Sequence, residues 1–79
     1  MSWNLEGLAV EGLYLSGDVK VKGRVTHSRV GLGGIVSHHV ELYHGFEWKG
    51  DTGKVLVSRK AGETVIVDHK YITRVMEAA

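Results

Sequence analysis

Short runs of alternating apolar and polar residues cover most of this chain. Across residues 18–27, Val19, Val21 and Val25 fall on one face and Lys20, Lys22, Arg24 and Thr26 on the other. That period of two predicts a half-buried antiparallel strand. Gly23 falls on the apolar face, where a bulge or sharp bend is expected. Leu13-Tyr14-Leu15 continues the pattern as a lead-in strand. Across residues 35–43, Val36, His38, Val40 and Leu42 share one face, and Ser37, His39, Glu41 and Tyr43 the other. A third strand is expected over residues 54–59, entered through the hairpin turn Lys49-Gly50-Asp51-Thr52-Gly53. A fourth is expected over residues 63–67, after the Ala61-Gly62 turn. The expected core is Val19, Val21, Val25, Val36, Val40, Leu42, Leu56, Val65, Val67 and Ile72. Val55, Val57 and Ile66 are expected to face a partner or the second side of the sheet. Residues 2–11 are read as one or two helical turns, with Trp3, Leu5, Leu8 and Val10 as apolar contacts.

After the fourth strand, Asp68-His69-Lys70-Tyr71 interrupts the apolar run, which resumes at Ile72 and Val75. Asp68 is placed to cap a single 3₁₀ turn. Glycine supports the all-β reading, with 11 residues in 79 and turn-forming positions spaced roughly every ten residues. No proline interrupts the ladders. The chain is expected to be a single domain, residues 1–79, with a lead-in over residues 1–12 and a barrel over residues 13–76. A chain this short buries only about 60% of its unfolded surface, so barrel closure or self-association would help it fold.

The strand, 3₁₀ turn and short closing strand of residues 64–75 resemble an SH3-like β-barrel of about five antiparallel strands. In SH3 domains the 3₁₀ turn carries a tyrosine that helps to bind proline-rich peptides, and Tyr71 stands in the matching place. The acidic loop, paired tryptophans and proline of that site are missing here. Type II dihydrofolate reductases share the outline. The positions of their Val-Gln-Ile-Tyr run hold Thr64-Val65-Ile66-Val67, so the resemblance does not carry that activity. Sm-like proteins also share it, but their Ile-Arg-Gly run is replaced by Ile66-Val67-Asp68. The spacing of His27-Ser28-Arg29-Val30, Gly33-Gly34, His39-Val40-Glu41-Leu42 and Ile72-Thr73-Arg74-Val75 is similar to that of small uncharacterised proteins of tailed phages, a resemblance that implies no function.

Composition narrows the chemistry. Cysteine is absent, which excludes disulfides, zinc fingers and thiol nucleophiles. Net charge is +1, so whole-molecule electrostatics favours no class of partner. No apolar run approaches the roughly 20 residues of a membrane span, and the first residues lack the pattern of a signal peptide. The expectation is a cytoplasmic protein with no membrane partner and no cofactor.

Several motifs read as turns. Asp51-Thr52-Gly53 matches the triplet of aspartic proteases, but it lies in a hairpin turn between Lys49 and Lys54. Gly31-Leu32-Gly33-Gly34 lacks the third glycine and the helix of a dinucleotide fingerprint, and Gly53-Lys54 lacks the hydroxyl residue of a phosphate loop.

Three candidate sites remain. Tyr43, Phe46, Trp48 and Tyr71 are candidates for a protein interface, because aromatics dominate such contacts. Lys20, Lys22, Arg24 and Arg29 give four basic residues against one acidic between residues 18 and 30. Beside Tyr43, Phe46 and Trp48 they are candidate nucleic-acid contacts, although Glu41 dilutes the charge and a solvated face is the simpler reading. His27 and His38 fall on the apolar faces of their strands and would meet if those strands pair. A metal there would need a third ligand such as His44 or Glu41. Adjacent His38 and His39 point to opposite faces and cannot grip one ion. The expected function is therefore a non-catalytic module acting through protein–protein contact, as a small homo-oligomer. The alternatives are a nucleic-acid-binding barrel and a small enzyme or metal-binding protein with a site between subunits.

Overall fold

The computed structural model describes residues 3–76. Met1, Ser2 and residues 77–79, all inside the expected single domain, lie outside the described residues. The described chain is all-β, with seven strands, two 3₁₀ turns and no α-helix. The strands are β1 (Ala9–Tyr14), β2 (Val19–Val30), β3 (Val36–Leu42), β4 (Phe46–Lys49), β5 (Val55–Arg59), β6 (Thr64–Asp68) and β7 (Ile72–Met76). One 3₁₀ turn spans Leu32–Gly34 and the other, His69–Tyr71, precedes β7. Five strands form one antiparallel sheet in the order β6-β3-β2-β1-β7, and β4 and β5 form a separate hairpin. The five-stranded ladder does not close on itself: β6 and β7 are its two edges.

The alternation read from the sequence fixes the inner face. Val21, Val25, Val40, Leu42, Val65 and Val67 are buried together with Leu5 and Val10. β-branched valine suits this surface because its stiff side chain packs well on a pleated sheet. Val19 and Ile72 pack half-buried against that cluster. Val36 is also half-buried. Leu56 is 56% exposed, contrary to the expectation that it joins the core. It is the extra residue where the β4–β5 register shifts, and it lies over Gly50 rather than on the sheet. Val55 and Ile66 are exposed, as expected of residues turned from the core.

Two other expectations fail. The segment read as one or two helical turns keeps a single hydrogen-bonded turn, Leu8 N–H to the Leu5 carbonyl at 3.0 Å, but from Ala9 it is strand β1, which crosses the expected boundary at residue 12. Leu5 plugs the core, while Gly7 N–H donates to the Val25 carbonyl and Val25 N–H to that of Leu8. Phe46-Glu47-Trp48, outside every strand expected from the sequence, is in strand β4.

Glycine permits two close approaches beside the core, the first closer than any other residue would allow. At Gly23 a Cβ would overlap the Glu41 carbonyl oxygen, so β2 and β3 approach there as only glycine permits. At Gly12 a Cβ would lie 3.1 Å from the Tyr71 carbonyl oxygen and 3.2 Å from Val67 Cγ1. There the second 3₁₀ turn crosses over β1. The bulge anticipated at Gly23 lies instead at Thr26, where Val25 pairs with Val40 and His27 with His39.

Candidate functional site

The Thr26 bulge decides where the histidines go. One extra residue in β2 reverses the parity of everything after it. Ser28 therefore turns inward and His27 outward, so Ser28 is buried and His27 exposed. The expected His27–His38 pair does not form, which removes the metal site read from the sequence. Among the described residues no three histidine or carboxylate side chains are placed to hold a metal ion.

His38 is fully buried and pairs with residues the sequence did not single out. Its Nδ1 lies 2.7 Å from Ser28 Oγ and its Nε2 lies 2.8 Å from His69 Nδ1. Burial first, and the charge of His69 second, hold His38 below its ordinary pKa of 6.5. Leu5 N–H donates to Ser28 Oγ at 3.1 Å, and Ser28 N–H donates to Glu6 Oε2 at 2.9 Å. The same Glu6 oxygen lies 3.2 Å from His27 Nδ1. Glu6 is held below the usual carboxylate value chiefly by the Ser28 N–H bond. The polar row Leu5–Ser28–His38–His69 thus runs from the N-terminal segment to the surface. Outside it, His27 and His39 meet edge-on, with ring centroids 5.5 Å apart. His39 Nε2 is buried without a hydrogen-bond partner. Asp68 stands at the N-cap of the second 3₁₀ turn but makes no capping bond with its side chain.

The aromatic candidates divide among the hairpin, the bend before it and the second 3₁₀ turn. Phe46 and Trp48 share one face of the hairpin with their cross-strand partners Arg59 and Val57. Phe46 packs on the core and meets Tyr14 edge-on at 5.9 Å. Tyr43 is 45% exposed in the bend after β3. Tyr71 sits on the second 3₁₀ turn under the Lys70 ammonium, which is 5.3 Å from its ring centroid. It lines a groove with Tyr14, Leu15 and Ile66. Tyr14 touches Phe46 and lines the Tyr71 groove, so it joins the hairpin to the second 3₁₀ turn. In the sequence it is only one residue of a lead-in strand.

Lys20, Lys22, Arg24 and Arg29 are all exposed on β2. The reversed parity after the bulge puts His27 and Arg29 on the same outer face as the lysines. Cross-strand carboxylates answer the row: Glu11 stands opposite Lys22 and Glu41 opposite Arg24. Glu11 also lies 3.7 Å from Arg74 on β7.

No described helix is long and apolar enough to cross a membrane. No family model matches the chain, and neither the curated proteins nor the solved structures include a match to it.

Proposed function

We propose that this chain is a non-catalytic binding module acting through protein–protein contact, and that it self-associates as a small homo-oligomer through the β4–β5 hairpin. The observation that carries this reading is the hairpin's apolar surface. β4 and β5 pack chiefly on each other, and Phe46 is the hairpin side chain that packs against the core cluster. Trp48 and Val57 stay half-buried, and Val55 and Leu56 are 40% and 56% exposed. Apolar and aromatic side chains grouped outside a core are the usual mark of a contact surface.

The same reading takes the five-stranded sheet as that of an SH3-like barrel with the hairpin inserted between β3 and β6. Supporting it are the strand order and the 3₁₀ turn that returns the chain from β6 to β7 beside β1. A cysteine-free chain suits a reducing compartment such as the cytoplasm.

Light scattering at micromolar concentration tests the assembly. The expected mass exceeds the 8.7 kDa of one chain, and Trp48→Ala with Leu56→Ser should return it to that value with an unchanged far-UV spectrum. A wild-type mass of 8.7 kDa would overturn the reading.

One observation favours a second reading, contact with nucleic acid. The bulge aligns Lys20, Lys22, Arg24, His27 and Arg29 along one face. The interleaved Glu11 and Glu41 weigh against it.

A further inference from the structure

A cleft of about 370 Å³ lies at the far end of the polar row, between the first 3₁₀ turn and the second. Its walls are Gly34, Ile35, Val36, Asp68, His69 and Lys70. Ile35 is 62% exposed and neighbouring Leu32 96%, so the rim is aliphatic.

Hydrogen-bond accounting sets the polarity of His69 in this cleft. Ser28 Oγ accepts the Leu5 N–H, and a backbone N–H cannot accept in return. Among the described residues the hydroxyl proton has one acceptor in reach, His38 Nδ1. His38 therefore carries its own proton on Nε2 and donates it to His69 Nδ1. That leaves the His69 proton on Nε2, the nitrogen turned away from His38 on an exposed ring that lines the cleft. A buried row of partners thus fixes both the tautomer and the orientation of a surface histidine. Neutral or charged, His69 presents an N–H donor.

We propose that this cleft binds an aliphatic carboxylate, with His69 Nε2–H donating to the carboxylate, Lys70 turning its ammonium from over the Tyr71 ring toward it, and Ile35 and Val36 taking the hydrocarbon. Asp68 is the opposing charge in the cleft, and it favours a singly charged ligand over a doubly charged one. His38 faces His69 from β3, and the first 3₁₀ turn carries no charged side chain. The carboxylate could belong to a free alkanoate or to the C-terminus of a chain ending in an aliphatic residue. The cleft lies apart from the hairpin, so neither reading depends on the other.

Nitrogen-15 NMR of the full chain tests the proposal. At neutral pH the His69 ring should show the Nε2–H tautomer. Titration with hexanoate should shift Ile35, Val36, His69 and Lys70 saturably, with a dissociation constant on the order of millimolar for so small a ligand. Hexanol, hexylamine and inorganic phosphate should bind more weakly. N-acetyl-leucine binding above its amide would assign the C-terminal source, and hexanoate binding above both would assign the free alkanoate. His69→Phe should weaken hexanoate by about tenfold or more. An Nδ1–H tautomer at His69, absence of saturable hexanoate shifts, or hexanol binding as well as hexanoate would overturn the proposal. The tautomer and the probe comparison use the wild-type chain, so they hold even if the variant fails to fold.

Discussion

His38 and His69 share a 2.8 Å hydrogen bond between Nε2 and Nδ1, yet one is fully buried and the other exposed. A single proton can occupy that bond, so both rings cannot charge without breaking it. The relation makes the stability of the fold sensitive to mild acid. Burial and His69 lower the His38 pKa in the folded chain below 6.5, whereas the unfolded chain keeps the ordinary value. Above 6.5 both forms are neutral at this position and stability is level. Below it the unfolded chain takes up a proton that the folded chain refuses, so stability falls. Urea midpoints should therefore decline as pH drops below 6.5, and His38→Gln should flatten that decline. Glu6 acts in a lower window. Its depressed pKa stabilises the fold above its ordinary 4.5, and that contribution is lost as pH falls through the folded value.

Val40 has no exposed surface and sits between Val25 and Val65 in the ladder. Val40→Ala should lower stability by about 1–3 kcal/mol, from lost burial and the cavity left behind. Denaturant unfolding would measure it, and a change within a few tenths of a kcal/mol would mean that the surrounding valines collapse into the gap.

Gly23→Ala should do at least as much harm by the opposite route. Its methyl would collide with backbone, the Glu41 carbonyl, which no rotamer change can relieve. Moving β2 from β3 would break pairing at Leu42. The expected loss is about 2–3 kcal/mol or more, read from the same unfolding curves. Gly17→Ala makes a useful comparison: no heavy atom is near, but its φ of +99° still strains an alanine.

Oligonucleotides should not bind saturably at about 150 mM salt. Glu11 and Glu41 lie directly across from Lys22 and Arg24, and any phosphate tracking the row must pass them. Tryptophan fluorescence during titration with single-stranded and duplex DNA or RNA would detect an exception. Micromolar binding abolished by Lys22→Glu with Arg24→Glu would make the nucleic-acid reading the stronger one.

The strands that lie on the core announce themselves in the sequence. β2, β3 and β6 each put valines on alternate positions because one face must be dry. β1 is half silent, since the inward positions next to Val10 and Leu5 include Gly12, which has no side chain to count. β4 alternates over Phe46-Glu47-Trp48-Lys49, but four residues are too few to distinguish from a connection. Thr26 left no signal at all. A bulge is a relation between two strands, and its register appears only once β3 is laid beside β2. That one residue separates the expected His27–His38 pair from the observed His38–His69 pair. The role of His69 was hidden for a similar reason, because it lies 31 positions from its partner.

The pairing of β1 with β7 sets the tempo of folding. Thr73 Oγ1 donates to the Glu11 carbonyl across a separation of 62 positions, and Ala9 pairs with Met76. Sheets built on such distant partners must close a long loop before any contact rewards it, and they fold in milliseconds to seconds rather than microseconds. The β2–β3 ladder spans a much shorter loop and is positioned to form first. β7 would then be the last strand to dock and the first to exchange its amide hydrogens, which makes the edge that carries Arg74 and Val75 the thinnest guard on an otherwise slow-opening core.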